Sequence, residues 1–221
     1  MQKLYHFPLS PFCRKIRLVL GEKKVEVELI EERFWERRLQ FLNINHAGAV
    51  PVFVENETII SDSFAIFEYL EETHPEPKLL PNLPHTRAEA RRLSSWFDNK
   101  FHKEVTEKLL YERVYKKITN SGYPCSEKIK VGIKNFKTHM EYMNWLLEKR
   151  KWLAGDQMTI ADFSASAHLS SLDYINDVDW FSYNYVRDWY SKIKSRPAFR
   201  PMLSDLLTGF NPPDHYSDLD F

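Results

Sequence analysis

Cysteine is scarce in this sequence: Cys13 and Cys125 are its two thiols. Two thiols make neither a disulfide framework nor a four-ligand zinc site, so the reading is a reduced, cytoplasmic protein without a metal. Long apolar runs are also missing. No stretch approaches the roughly 20 residues that span a bilayer, and the opening Met1-Gln2-Lys3-Leu4-Tyr5-His6 lacks the apolar block of a secretory signal. Net charge is absent as well, since 31 Lys and Arg balance 31 Asp and Glu, so no nucleic-acid partner is implied. Glycine is rare, with 6 residues against 28% charged content, which leans toward helix, and 12 prolines mark the boundaries. What is plentiful is bulk. At 43% hydrophobic and 14% aromatic, the 221 residues can bury one large core or two modest ones, which excludes a disordered chain.

The balanced total hides an uneven distribution. Residues 85–153 carry 16 Lys and Arg against 8 Asp and Glu. Residues 201–221 hold Asp205, Asp214, Asp218 and Asp220 with no Lys or Arg. A basic middle and an acidic tail make a candidate recognition surface, although each taken alone reads as a solvated helical face and a frayed terminus.

Periodicity divides the chain. Gln2 to His6 reads as a strand, and Pro8 and Pro11 bracket a loop. Cys13, Ile16, Val19 and Leu20 then form one helical stripe ending near Lys23, with Ser10 at the N-cap and Pro11 at the first helical position. Val25 to Ile30 alternates as a strand. Two more strands, Pro51 to Val54 and Thr58 to Ile60, precede a helix beginning at Asp62-Ser63. This order predicts a small four-stranded thioredoxin-like domain over residues 1–74. A proline-rich connector covers 75–85. Residues 86–203 read as an all-helical bundle with long runs over 86–120 and 125–149, a third from Thr159 and a fourth from Tyr183 to Lys194, stopped by Arg196-Pro197. Residues 204–221 form an acidic and aromatic tail.

Each motif has a plain reading beside its functional one. Thr159-Ile160-Ala161-Asp162 has the logic of a capping box and is assigned a structural role. Ser10 at the start of the first helix caps it; the functional reading is that its hydroxyl and the helix dipole hold a substrate thiolate. From Ser10-Pro11-Phe12-Cys13 alone the cap is the favoured reading, and Cys13, on the apolar stripe, reads as an inert core thiol. A Val50-Pro51 bond opening a strand is either cis, turning the Val50 backbone toward an extended peptide, or an ordinary trans edge. Asp62-Ser63 reads first as a helix cap, and second as a holder of a ligand carboxylate and α-ammonium. Arg37 and Arg38 offer a partner for a second carboxylate, or are simply solvated.

The order of these pieces resembles the cytosolic glutathione S-transferases. It runs from Leu9-Ser10-Pro11-Phe12 with Arg14-Lys15-Ile16-Arg17-Leu18, through Val50-Pro51 and Asp62-Ser63-Phe64-Ala65-Ile66, to Thr159-Ile160-Ala161-Asp162. The resemblance implies a thioredoxin-like first domain, an all-α second domain and a homodimer. It implies that Ser10 stabilises the glutathione thiolate, that Val50 pairs with the cysteinyl backbone beside a cis Pro51, and that Asp62 and Ser63 hold the γ-glutamyl end. Arg38 is the guess for the glycine carboxylate. The tail, together with Arg33-Phe34-Trp35-Glu36-Arg37 and the basic helix from Lys100 to Lys117, looks most like a subgroup of bacterial transferase-like division proteins that bind FtsZ filaments. That likeness implies a partner surface including Trp35, Lys108, Arg113, Asp218, Asp220 and Phe221.

Two functions follow as expectations. One is a binding protein whose dimer offers two basic surfaces to an acidic filament. The other is a transferase in which Ser10 lowers the glutathione thiol pKa for attack on an apolar electrophile. A thiol–disulfide role for Cys13 is weaker, because the Ser10 position carries no partner cysteine.

Overall fold

The computed structural model describes residues 2–219. The chain separates into two compact units: residues 1–78 with 197–205, and residues 79–196 with 206–221.

The first unit opens with β1 (Gln2–His6), α1 (Pro11–Glu22) and β2 (Glu28–Glu31). A 3₁₀ turn (Phe34–Glu36) and α2 (Leu39–Ile44) lead to the hairpin β3 (Val52–Glu55) and β4 (Thr58–Ser61), and α3 (Ser63–Thr73) follows. The sheet order is β2-β1-β3-β4, with β1 parallel to β2 and the other pairs antiparallel. This is the mixed four-stranded sheet that the pattern of elements predicts. The turn Phe34–Glu36 and helix α2 are additions, short enough to lack a periodic signal.

Helix α1 starts where Ser10 and Pro11 predict, with Ser10 Oγ accepting from the Cys13 N–H at 3.4 Å. Its apolar stripe is buried as expected: Cys13, Ile16 and Val19 are fully inaccessible. The polar residues between them are buried too. Arg14 and Lys15 are fully inaccessible and Arg17 nearly so. Arg14 and Arg17 face Asp205 of the segment Pro197–Asp205, which holds α10 (Arg200–Leu203) and belongs to the first unit. Residues 197–203, assigned from sequence to the helical domain, therefore group with the sheet unit. A Cβ on Gly21 would stand 2.8 Å from the Ala198 Cβ, so only glycine permits the approach. Phe199 and Met202 are fully buried.

In the second unit the helix predicted over 86–120 runs as one rod over 84–118. It begins as α4 (Pro84–Ser95), widens into a π-helical stretch (Trp96–Thr106), and passes through α5 (Glu107–Leu110), a second π turn (Tyr111–Tyr115) and α6 (Lys116–Ile118). Helices α7 (Ser126–Lys149), α8 (Ile160–Tyr174) and α9 (Asn184–Lys194) complete the bundle. Every residue of α8 is buried. Its capping box is present: Asp162 Oδ2 accepts from the Thr159 N–H at 2.8 Å, while the Thr159 hydroxyl accepts from Ala161 N–H at 3.3 Å. The other Asp162 oxygen accepts from Leu153 N–H (3.0 Å) and the Trp189 indole (2.9 Å), so one carboxylate ties α8 to its surroundings.

Residues 206–217 of the tail are docked on this unit rather than frayed. Tyr216, in the 3₁₀ turn Asp214–Ser217, is fully buried and packs edge-on against Tyr174. His215 pairs with Asp173 at 3.0 Å, and Lys194 donates to the His215 carbonyl at 3.0 Å. Lys117 donates to the Gly209 carbonyl and stands over the Phe210 ring at 4.5 Å. No helix among the described residues is long and apolar enough to cross a membrane.

Candidate functional site

Strand register brings the candidate residues of the first unit to one end of the sheet. Tyr5 faces Val52 across the antiparallel pair, so the turn after His6 lies beside Val50-Pro51. Val52 faces Ser61, which places Asp62-Ser63 at the same end. His6 faces Glu31 in the parallel pair, so the segment carrying Glu32, Trp35 and Arg38 begins there as well. The sheet thus gathers four loops that are distant in sequence.

The turn leading into α1 is tightly held. Ser10 N–H donates to the Phe7 carbonyl at 3.0 Å, and Phe7 N–H donates to Cys13 Sγ at 3.4 Å. Ser10 is only 5% exposed. Burial pushes the Cys13 thiol up to about 11, against the smaller pull of its Ser10 and Phe7 contacts and the Arg17 charge. A buried thiol held protonated is a poor nucleophile, as its place on the apolar stripe suggests.

Beside this turn Phe7 meets Trp35 edge-on with ring centroids 5.0 Å apart, and Trp35 meets Phe34 at 5.2 Å. Trp35 is half-buried. The sequence presents Phe34 and Trp35 as a recognition feature; their packing against Phe7 makes them an aromatic wall at the Ser10 end of the sheet.

The Val50–Pro51 bond is cis, and Val50 is 8% exposed. Asp62 is the N-cap of α3, with Oδ1 accepting from Phe64 N–H (2.7 Å) and Ala65 N–H (3.2 Å). Its φ of 77° lies in the left-handed half of backbone space, uncommon for a residue with a Cβ. Ser63 is buried. Asp62 is exposed, and a carboxylate at a helix start suits a ligand carrying both an ammonium, for the carboxylate, and a carboxylate, for the helix N-terminus.

Arg38 is already engaged. It makes two hydrogen bonds to the fully buried Glu32 carboxylate, and that contact raises its pKa. Arg37, in a left-handed conformation, lies over Gly48: a Cβ there would stand 3.3 Å from the Arg37 guanidinium. The sequence offers no signal that Glu32 is the partner of Arg38, because both sit in a run of charges.

Behind α1, Arg17 makes a bidentate pair with Asp205 (2.7 and 2.9 Å), and Arg14 lies 3.6 Å from the same carboxylate. Arg14 also donates from Nε to the Pro8 carbonyl at 2.7 Å. Burial, with the Arg17 charge adding to it and Asp205 opposing, holds the His6 imidazole down to about 4. In the sequence Asp205 belongs to the acidic tail, and nothing there connects it to Arg14 or Arg17.

Of the candidate partner residues, Lys108 and Arg113 lie on the 84–118 rod. The Lys108 stem runs close to Gly132 of α7. Arg113 pairs with Asp177 at 2.7 Å. Asp218 follows the docked turn of the tail, and its charge reaches the buried Lys194. Asp220 and Phe221 lie outside the described residues.

Residues 4–78 match the model of the glutathione S-transferase N-terminal domain, and residues 100–203 match that of the C-terminal domain. FtsZ-localized protein A of Caulobacter vibrioides (strain NA1000 / CB15N) is 45% identical over 222 residues, covering 99% of this chain and 97% of that protein. The crystal structure of a glutathione S-transferase from Rhodospirillum rubrum F11 superposes with a TM-score of 0.98 at 47% identity, covering 100% of both chains. The structure of FzlA from C. crescentus does so with a TM-score of 0.98 at 44% identity, covering 100% of this chain and 99% of the other. With both domain models matched in order and relatives aligned from end to end, this chain belongs to the glutathione S-transferase superfamily, whose members use glutathione as substrate.

Proposed function

We propose that this protein is a cytoplasmic cell-division factor that binds FtsZ filaments on a glutathione-transferase frame. The observation that carries the reading is the likeness to FtsZ-localized protein A, 45% identical with almost nothing of either chain left out. A homodimer presents two copies of the basic rod surface, including Lys108 and Arg113, to an acidic filament. Two modest contacts then act with the avidity of a linked pair. Trp35 and the tail residues Asp218, Asp220 and Phe221 complete the partner surface in this reading. The docked turn around Tyr216 supports it, because it delivers the end of the chain from a defined place. Sedimentation with FtsZ filaments tests it. The chain is expected to pellet with and bundle filaments at low salt, with the effect weakening as ionic strength rises. A chain that stays in the supernatant at low salt overturns the proposal.

A second reading, glutathione binding at the sheet end, is favoured by the register that gathers Ser10, Val50-Pro51 and Asp62-Ser63. In it the Ser10 hydroxyl donates to the thiolate, the Val50 backbone pairs with the cysteinyl residue, and Asp62 and Ser63 take the γ-glutamyl end. Arg38 serves the glycine carboxylate only by sharing itself with Glu32, so affinity is expected to be modest. Glutathione is expected to raise the melting temperature in a saturable way. Ser10→Ala is expected to slow conjugation by two to three orders of magnitude if the thiolate contact is made only there. An unchanged melting temperature at about 10 mM glutathione, far above the range typical of enzyme substrates, removes this reading and leaves the first standing.

A further inference from the structure

We propose that Glu32 is a positioning residue for Trp35, acting through Arg38. Only the consequence for filament binding rests on the function proposed above; the mechanical link belongs to the first unit alone. Trp35 sits in the stretch that joins β2 to α2. Glu32 anchors one end of that stretch, because its N–H donates to the His6 carbonyl at 2.8 Å and extends the β1–β2 ladder. Phe41, buried and packed against Tyr5 with ring centroids 5.8 Å apart, anchors the other. Between these anchors every residue from Arg33 to Gln40 is exposed or half-buried, so the stretch has little burial of its own to fix its shape.

The Glu32 carboxylate supplies a cross-link. It lies wholly inside the protein, and both its oxygens accept from the Arg38 fork, Oε1 from Nε at 3.2 Å and Oε2 from Nη2. A bidentate guanidinium–carboxylate pair fixes direction as well as distance. It draws Arg38 back to the end of β2 and shortens the span between fixed points from 33–40 to 33–37. That shorter span is the 3₁₀ turn, closed by Glu36 N–H to the Arg33 carbonyl at 2.8 Å and Arg37 N–H to the Phe34 carbonyl at 3.3 Å. Trp35 stands at its middle, with its ring edge-on to Phe7. The member able to leave the pair is Arg38, whose side chain is 45% exposed, whereas that of Glu32 is inaccessible. When the carboxylate loses its charge, Arg38 turns to water, the span reopens to 33–40, and the Trp35 ring loses its fixed direction. A wholly buried Glu32 touches no partner, so its effect on binding has to travel through the turn.

Glu32→Gln in the full chain, labelled with fluorotryptophan, tests this, with Glu32→Asp as the variant that restores the charge. The first readout is the fluorine spectrum, which needs no partner; Trp35→Phe identifies the Trp35 resonance among the six tryptophans. In Glu32→Gln that resonance is expected to shift and broaden while the others keep their positions. In Glu32→Asp it is expected to return most of the way, because the half-exposed Arg38 can follow the shorter carboxylate. The second readout is sedimentation with FtsZ filaments, where half-saturation is expected to need about tenfold more protein in Glu32→Gln. A Trp35 resonance that stays in place overturns the proposal. So does movement of all the tryptophan resonances together, which means a general loss of stability, and so does equal displacement in Glu32→Asp. A displaced Trp35 resonance with filament binding unchanged overturns it as well. If Glu32→Gln does not fold, Arg38→Lys, which keeps the charge and loses the planar fork, carries the same readouts with the same expected and overturning results. A wild-type protein that ignores filaments refutes the proposed function alone, because the fluorine spectrum still decides the link.

Discussion

Asp62 combines two demands that usually exclude each other. Its backbone adopts φ 77°, where a Cβ is unwelcome, and its carboxylate caps α3 through Phe64 and Ala65. Holding a non-glycine residue there costs about 1–3 kcal/mol, and the cap returns about 1 kcal/mol. Asp62→Ala keeps the strain and loses the cap, so it is expected to lower stability by about 1–2 kcal/mol in urea unfolding. Asp62→Gly loses the same cap and relieves the strain, and is expected to be at least as stable as the parent. A glycine variant less stable than the alanine variant would show that the carboxylate, and not the backbone, dominates this position. Ser10 differs in kind: its φ of −70° is ordinary, and its hydroxyl meets the Cys13 N–H in a long 3.4 Å cap bond.

Among elements, the fit of α1 against Pro197–Asp205 sets the tightest constraint. Gly21→Ala gains up to about 1 kcal/mol of helix propensity. The new methyl would stand 2.8 Å from Ala198 Cβ and 3.0 Å from its Cα, so the backbone itself must retreat. Overpacking of this kind costs about 1–3 kcal/mol. The net expectation is destabilisation, reversed in part by Ala198→Gly in the same chain, and a double-mutant cycle measures the coupling. Most of the element order was legible, because Ser10-Pro11, Asp62-Ser63 and Thr159 to Asp162 carry start signals that do not depend on distant contacts. The long helices were legible from their apolar period. What escaped was non-local. Nothing near Arg14 or Arg17 announces Asp205, nothing near Arg38 announces Glu32, and the tail reads as acidic and loose until Tyr216 is seen against Tyr174. The widened stretch Trp96–Thr106 has the same apolar spacing as an α-helix within the tolerance of a sequence pattern. At the candidate site the residues could be named from sequence, whereas their convergence needed the strand register.

For the molecule as a whole, the buried His6 and the half-buried His102 set the response to acid. Burial holds His6, in the first unit, and His102, in the second, down to about 4; Arg17 adds to it at His6 and His168 at His102, while Asp205 and Asp98 oppose. In the unfolded chain both titrate near 6.5. Between those values the unfolded state binds more protons, so stability is full above about pH 6.5 and is lost as pH falls toward 4. Each imidazole accounts for on the order of 3 kcal/mol across that window. Asp162, whose carboxyl burial raises to about 6, works in the opposite sense over the same range and offsets part of one. The melting temperature is therefore expected to fall steadily from pH 7 to pH 4.5, and His102→Gln to flatten the fall; a melting temperature that holds or rises on acidification would contradict this. The packing of Pro197–Asp205 on the sheet unit has a temporal consequence. A growing polypeptide delivers its amino-terminal portion first, and domains ordinarily mature in that sequence. Here the nascent amino-terminal portion must wait for Asp205, the partner of Arg17 lying 188 residues downstream, so its maturation is bound to synthesis of that distant segment.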